Sequence, residues 1–229
     1  MKCITVSVCA VAAVASSSAA DIIYNSTQPH TPTSTMIWLM ADPNNGETAS
    51  YIELTPNGEN EARVGAALTF AGTNRFVDRV EIPCAVNGMA GAPQTATFEL
   101  AFYTDAGNTP GTLIWSGSTV TTMTGPGPVV SSIFTPNITL PNTVFYTLAY
   151  SNIQNLANRA FGSRFNNVAN ATVGSHSQQM TQDSTTLAWA PSPFTTPQNS
   201  IEILVNAIPT PGTLALAALA AFRMHRRRR

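Results

Sequence analysis

Residues 97–118, TFELAFYTDAGNTPGTLIWSGS, read as strand, turn, strand. Phe98, Leu100 and Phe102 fall on one face of a period-2 segment, and Glu99 and Tyr103 fall on the other. The turn Asp105-Ala106-Gly107-Asn108-Thr109-Pro110-Gly111 holds residues that accept positive φ or fix φ near −65°. The same alternation recurs downstream, where Val144, Tyr146, Leu148 and Tyr150 share a face. Ile201, Ile203 and Val205 alternate with Glu202, Leu204 and Asn206 in a last strand. Val64–Phe70, Arg79–Val86, Leu113–Trp115 and Met36–Met40 give weaker strand signals, and Pro83 marks its strand as an edge or a bulge. Gly125-Pro126-Gly127-Pro128 reads as a hairpin or a crossing between sheets. Nowhere does a 3.6-residue apolar stripe run for three turns. The expected fold is all-β: one antiparallel β-sandwich, jelly-roll-like, over residues 21–208, flanked by an N-terminal signal helix and a short C-terminal apolar helix.

Charge sharpens this. Only 10% of the 229 residues are charged, too few to solvate coiled coils or helical bundles, while 44% hydrophobic residues argue against disorder. Lys2 and five arginines lie at the extreme ends, so five basic residues in the body face all 12 acidic ones. An acidic body is a poor partner for nucleic acid or anionic lipid. It also contains no lysine, which excludes Schiff-base, P-loop and isopeptide chemistry there.

Both ends read as addresses. Lys2, the apolar run Ile4–Ala15 and the small residues Ser16–Ala20 form a signal peptide over residues 1–20, cleaved after Ala20; the competing reading is a buried N-terminal element. Cleavage leaves Cys84 alone, and the alternation Val80, Ile82, Cys84, Val86 puts it on an apolar face as an inert thiol. At the other end, Pro209-Thr210-Pro211-Gly212 breaks the last strand. The apolar run Leu214–Phe222 then meets Arg223, Arg226, Arg227, Arg228 and Arg229. That order suits a short membrane-entering helix with a positive stop; a basic nucleic-acid tail is the competing reading.

Residues 208–229 resemble the PEP-CTERM type of protein-sorting domain of exported bacterial proteins, in its planctomycete-like variant, with Thr210 where the name-giving glutamate would stand. The resemblance implies recognition by an exosortase-type membrane protease, transient inner-membrane contact and removal of the tail, with signal peptidase acting at the other end. The 97–118 unit, together with Leu140-Pro141-Asn142-Thr143-Val144-Phe145-Tyr146, is similar to strand units of secreted bacterial β-sandwich domains. That likeness bears on fold alone.

Motifs for nucleophilic, metal or nucleotide chemistry are absent from the sequence, so no catalytic residue, metal or cofactor is expected. Ser175-His176-Ser177 with Asp183 is the one serine–histidine cluster, and it reads as a polar turn. Asp42–Glu47 offers calcium-type oxygens at the wrong spacing for an EF-hand. Aromatic residues are the remaining candidates: Trp38, Trp115, Trp189 and Tyr103 as stacking platforms for a ligand such as extracellular polysaccharide. The expected function is a structural or adhesive module at the cell surface, the outer membrane or the extracellular matrix. The alternatives are a carbohydrate-binding module and, less favoured, a secreted hydrolase.

Overall fold

The computed structural model describes residues 20–27, 39–40, 52–53, 63–88, 93–123, 130–154, 159–163, 165–166, 171–182, 186–191 and 200–209, and holds no helix among them. In chain order the strands are β1 (Asp21–Asn25), β2 (Leu39–Met40), β3 (Ile52–Glu53), β4 (Val64–Thr69), β5 (Phe76–Gly88) and β6 (Gln94–Asp105). There follow β7 (Pro110–Met123), β8 (Val130–Phe134), β9 (Ile138–Thr139), β10 (Thr143–Gln154), β11 (Arg159–Ser163) and β12 (Phe165–Asn166). The last are β13 (Ser175–His176), β14 (Met180–Gln182), β15 (Trp189–Pro191), β16 (Ser200–Ile201) and β17 (Leu204–Ile208). The signal helix and the apolar C-terminal helix lie outside the described residues.

Two antiparallel sheets pack face to face as a β-sandwich. In the first, β5 is the spine: Val80 pairs with Val205 of β17 on one edge and with Phe134 of β8 on the other. β11 and β9 extend those two edges, and β1 adds outside β17. The second sheet runs β15-β14-β4-β10-β6-β7, with β13 also on β4. β7 belongs to the second sheet and β8 to the first, and Gly125-Pro126-Gly127-Pro128 between them lie outside the described residues.

Alternation sets the core. Phe98, Leu100 and Phe102 point inward from β6, and Val144, Tyr146, Leu148 and Tyr150 do so from β10; they meet Val80, Ile82, Ile203 and Val205 of the first sheet. The Ala106–Thr109 turn joins β6 to β7 with Gly107 at φ 79° and Asn108 at φ 60°, which only glycine and, less readily, asparagine adopt cheaply. Asp105 Oδ1 accepts from the Asn108 amide at 2.8 Å and closes the loop.

Buried hydroxyls tie the layers together. Tyr24 of the first sheet meets His176 Nδ1 of the second at 3.1 Å. Tyr150 of β10 bonds Ser163 of β11, whose amide donates back to the phenol at 3.1 Å. Thr121 of β7 reaches Ser132 of β8 at 2.6 Å, and Ser132 meets Cys84 of β5 at 3.1 Å. Gln179 is fully buried and serves three partners. It donates to Gly65 O (2.8 Å), and its carbonyl accepts from the Tyr146 hydroxyl (3.1 Å) and the Ile201 amide (3.3 Å).

Three strand expectations take a more exact form, and a fourth falls mostly outside the described residues. Leu113–Trp115 is a fragment of the long strand β7, and of Met36–Met40 only Leu39–Met40 lies within the described residues, paired with β3. Pro83 sits inside the central strand of its sheet, not on an edge. It falls between the β17 ladder, which ends at Glu81, and the β11 ladder, which starts at Cys84, so no partner on that edge lacks its missing N–H. The final strand is interrupted at Glu202–Ile203, where Ser26 takes the place of a strand partner by bonding Ile203 through both its amide and its hydroxyl. Glu202 is buried there.

Gln179→Ala strips three buried groups of their partner and is expected to cost about 3 kcal/mol, against about 1 kcal/mol for Tyr146→Phe, which removes one bond. Urea-unfolding midpoints of the two variants measure the difference, and equal losses would show that Gln179 is not the hub.

A candidate ligand groove on the outer face of the second sheet

The outer face of the second sheet is a grid fixed by strand register. β6 places Tyr103, Ala101 and Glu99 outward in sequence; β7 sets Leu113, Ser116 and Ser118 opposite them, and β10 sets Phe145, Thr147 and Ala149. On β4, Ala67 and Gly65 stand opposite Phe145 and Thr147. One row is therefore aromatic and apolar (Leu113, Tyr103, Phe145, Ala67), and the next is small (Ser116, Ala101, Thr147, Gly65). Arg63 and Glu99 mark the charged side.

The small row makes a trough. Arg63, Glu99, Tyr103, Leu113, Ser116 and Ser118 line an open groove of about 340 Å³, floored by Ala101 and the backbone of Leu100 and Gly117. Gly65 extends this low ground for a steric reason: a Cβ there would lie 2.6 Å from the Phe145 ring and against the Tyr146 carbonyl. At the charged end, Arg63 Nη2 pairs with Glu99 Oε2 at 3.4 Å, and Ser151 donates to Glu99 Oε1 at 3.4 Å. Both charged side chains remain about a third exposed (28% and 34%), so both can be reached from solvent. The Thr147 hydroxyl, in a residue 1% exposed beside Ala101, has no partner among the described residues.

A small satellite cluster fences the aromatic end. Phe145 is buried on this face with Ala67 and Met180, and Tyr103 and Trp189 pack against them. Trp189 meets Phe145 edge-on, with ring centroids 5.2 Å apart.

The four aromatic candidates thus separate. Tyr103 lines the groove, and Trp189 lies on the same face, where it braces Phe145. Trp115 faces the interior between the sheets, tilted against Phe102 (6.0 Å) and edge-on to Phe134 (6.4 Å). Trp38 lies outside the described residues, as do Asp42–Glu47, Asp183, Thr210, Pro211, Gly212 and the terminal arginines. Pro209 is half-exposed just after β17. Arg63, Glu99, Ser116, Ser118 and Thr147 were missed by the sequence reading; the outward triplet Glu99, Ala101, Tyr103, small between carboxylate and phenol, was the available signal.

The remaining reactive groups are used internally. Ser177 and His176 point to opposite sides of their strand. Ser177 bonds Asn108 and the Ala67 amide (2.9 Å), while His176 meets Tyr24. Asn108 in turn donates to Gln178 O at 3.0 Å and accepts from the Ala67 amide at 3.1 Å, so this turn residue plugs the gap in the ladder between β13 and β14. Burial pushes the Cys84 thiol up to about 12, as an inert buried cysteine requires. No group of three or more His, Cys, Asp or Glu residues able to hold a metal occurs among the described residues. Comparison of the chain with protein families, curated proteins and solved structures finds no match.

Two outcomes follow from these environments. Desolvation lowers the His176 pKa below 6.5, so the stability of keeping it neutral is fully present above pH 6.5 and is lost as pH falls through the lowered value. Unfolding free energy followed from pH 7.5 to 5 should therefore decline, and His176→Gln should flatten that decline. Thr147→Val should leave stability unchanged or raise it by up to about 1 kcal/mol, because it deletes an unpartnered buried hydroxyl; a loss beyond that in thermal unfolding would mean the hydroxyl is satisfied.

Proposed function

We propose that this chain is an exported, non-enzymatic β-sandwich module that serves at the cell surface or in extracellular matrix. Signal peptidase removes residues 1–20, and an exosortase-type protease handles the tail that starts at Pro209. The observation that carries this reading is the position of the first and last described strands. β1 starts at Asp21, directly after the proposed cleavage point, and β17 ends at Ile208, directly before the Pro-Thr-Pro-Gly segment. The two strands pair with each other, Asp21 opposite Ala207. Both processing points therefore lie at one corner of the fold, with Ala20 exposed and Pro209 half-exposed, and cutting at either leaves the hydrogen-bonded sheet whole.

A hydrolase reading has less support, because Ser177 and His176 serve separate partners and, among the described residues, Glu99 is the one carboxylate lining the groove. A carbohydrate-binding role is favoured by the groove itself.

Mass determination of both termini, on protein isolated from its own host, tests export and sorting. The expected product runs from near Asp21 to near Pro209; an exported product that retains the arginine tail would sink the sorting claim.

A further inference from the structure

We infer that the groove between β6 and β7 on the outer face of the second sheet binds a neutral, hydroxyl-rich saccharide chain. The inference draws on the proposed function only for the compartment in which such a chain would be met, and the groove's chemistry stands whether or not the tail is cut.

Charge comes first. Among the described residues lining the groove, Arg63 is the basic side chain and Glu99 the acidic one, and the two lie 3.4 Å apart as an ion pair with no net charge of its own. An anionic glycan would have to compete with Glu99 for Arg63, and a cationic ligand with Arg63 for Glu99. A neutral ligand gains from both at once: guanidinium N–H donors and carboxylate acceptors sit side by side, as vicinal hydroxyls require.

Shape and polarity agree. Ser116 and Ser118 leave the outer face of β7 two residues apart and are exposed, adding hydroxyls that both donate and accept. Tyr103 and Leu113, the latter 52% exposed, form an apolar wall opposite the charged end. A sugar ring has the matching anatomy, with apolar C–H faces and a polar equator. Tyr103 is held for such a contact by packing against the buried Phe145, so little side-chain freedom remains to be lost on binding. The groove is open and about 340 Å³ in volume, which is room for a short saccharide segment.

The experiment is isothermal titration of the exported protein with cellohexaose, xylohexaose, mannohexaose and laminarihexaose as neutral probes and hexagalacturonate as the acidic one. At least one neutral hexasaccharide should bind, and more tightly than hexagalacturonate. Glu99→Gln, which breaks the ion pair while preserving shape, should weaken binding by about tenfold, the equivalent of one good hydrogen bond. Tyr103→Ala should do likewise. Because Tyr103 also packs against Phe145, Ser116→Trp provides a second arm: it fills the groove from an exposed position without replacing any member of the satellite cluster, and should abolish binding while leaving thermal unfolding unchanged. Ser175→Ala, on another strand, should bind as the parent does. Absence of binding to all four neutral probes overturns the inference. So do tighter binding of hexagalacturonate, neutral binding that survives Ser116→Trp, and a Ser116→Trp-sensitive dimer with no sugar binding. None of these outcomes bears on the masses of the termini, so the inference and the export reading fail separately.

Discussion

Strand β10 is buried on both faces, and the sandwich is organised around that requirement. From Val144 to Tyr150 every side chain is 5% exposed or less. One face is covered by the opposing sheet in the ordinary way of a sandwich. The other needs a cover of its own, because a sheet with a solvated outer face would leave Phe145 in water. Met180 of β14 and Trp189 of β15 supply that cover, and their segment follows β13 along the edge of β4. A strand hidden on both sides also puts its polar atoms at risk, since an unpaired buried donor or acceptor costs about 1–3 kcal/mol. Tyr146 and Tyr150 meet that demand by reaching Gln179 and Ser163, which belong to the segments that close the sandwich. The apolar cover and the polar satisfaction of β10 are thus provided by the same late parts of the chain.

The groove follows from this cover stopping short. The satellite cluster protects Phe145 and Ala67, and Tyr103 forms its margin. Beyond Tyr103 the next outward residue on β6 is Ala101, too small to fill the space, and the flanking strand offers only serines. Had Ala101 been Val or Leu, the aromatic wall and the ion pair would have been joined by an apolar ridge. A depression between an apolar wall and a neutralised charge pair is therefore a consequence of three small side chains in register, not of a loop or a cleft between domains. Such a site is held by a sheet, with little to rearrange when occupied.

Local periodicity made the inward faces legible. Phe98, Leu100 and Phe102, and Val144, Tyr146, Leu148 and Tyr150, were readable because a strand alternates with period 2 whatever it pairs with. The outer face was not readable, because whether Phe145 is wet or dry depends on a cover contributed by Met180 and Trp189, far along the chain. Aromatic identity gave no guide either. Trp115 and Trp189 looked equivalent in sequence, yet the register irregularities between Phe102 and Asp105 help set how β7 meets β6 beside Trp115. Pro83 misled for a related reason: a proline is barred from a central strand only where a neighbour needs its N–H, and ladder ends are not written locally. The turn at Asp105–Gly111 was legible as a turn. That Asn108 would also fill the break between β13 and β14 depended on a contact across the sheet.

The scarcity of charge in the body takes on a structural meaning beside the groove. A sandwich with few ionised side chains must solvate its outer strands by hydroxyls and amides, and β7 does so with Ser116, Ser118 and Thr122 on its exposed face. Hydroxyls are weakly hydrated compared with carboxylates or ammonium groups, so replacing their water with the hydroxyls of another molecule costs little. A surface of this kind does not attract partners over distance, since it has no field to steer them. It holds what is already present at high local concentration, and a polymer at the surface to which the chain would be delivered meets that condition. Neutral polar strands, a paired rather than a lone arginine, and the absence of lysine between the two ends are in this sense consistent with one another: on the proposed reading, such a face would bind by contact and geometry.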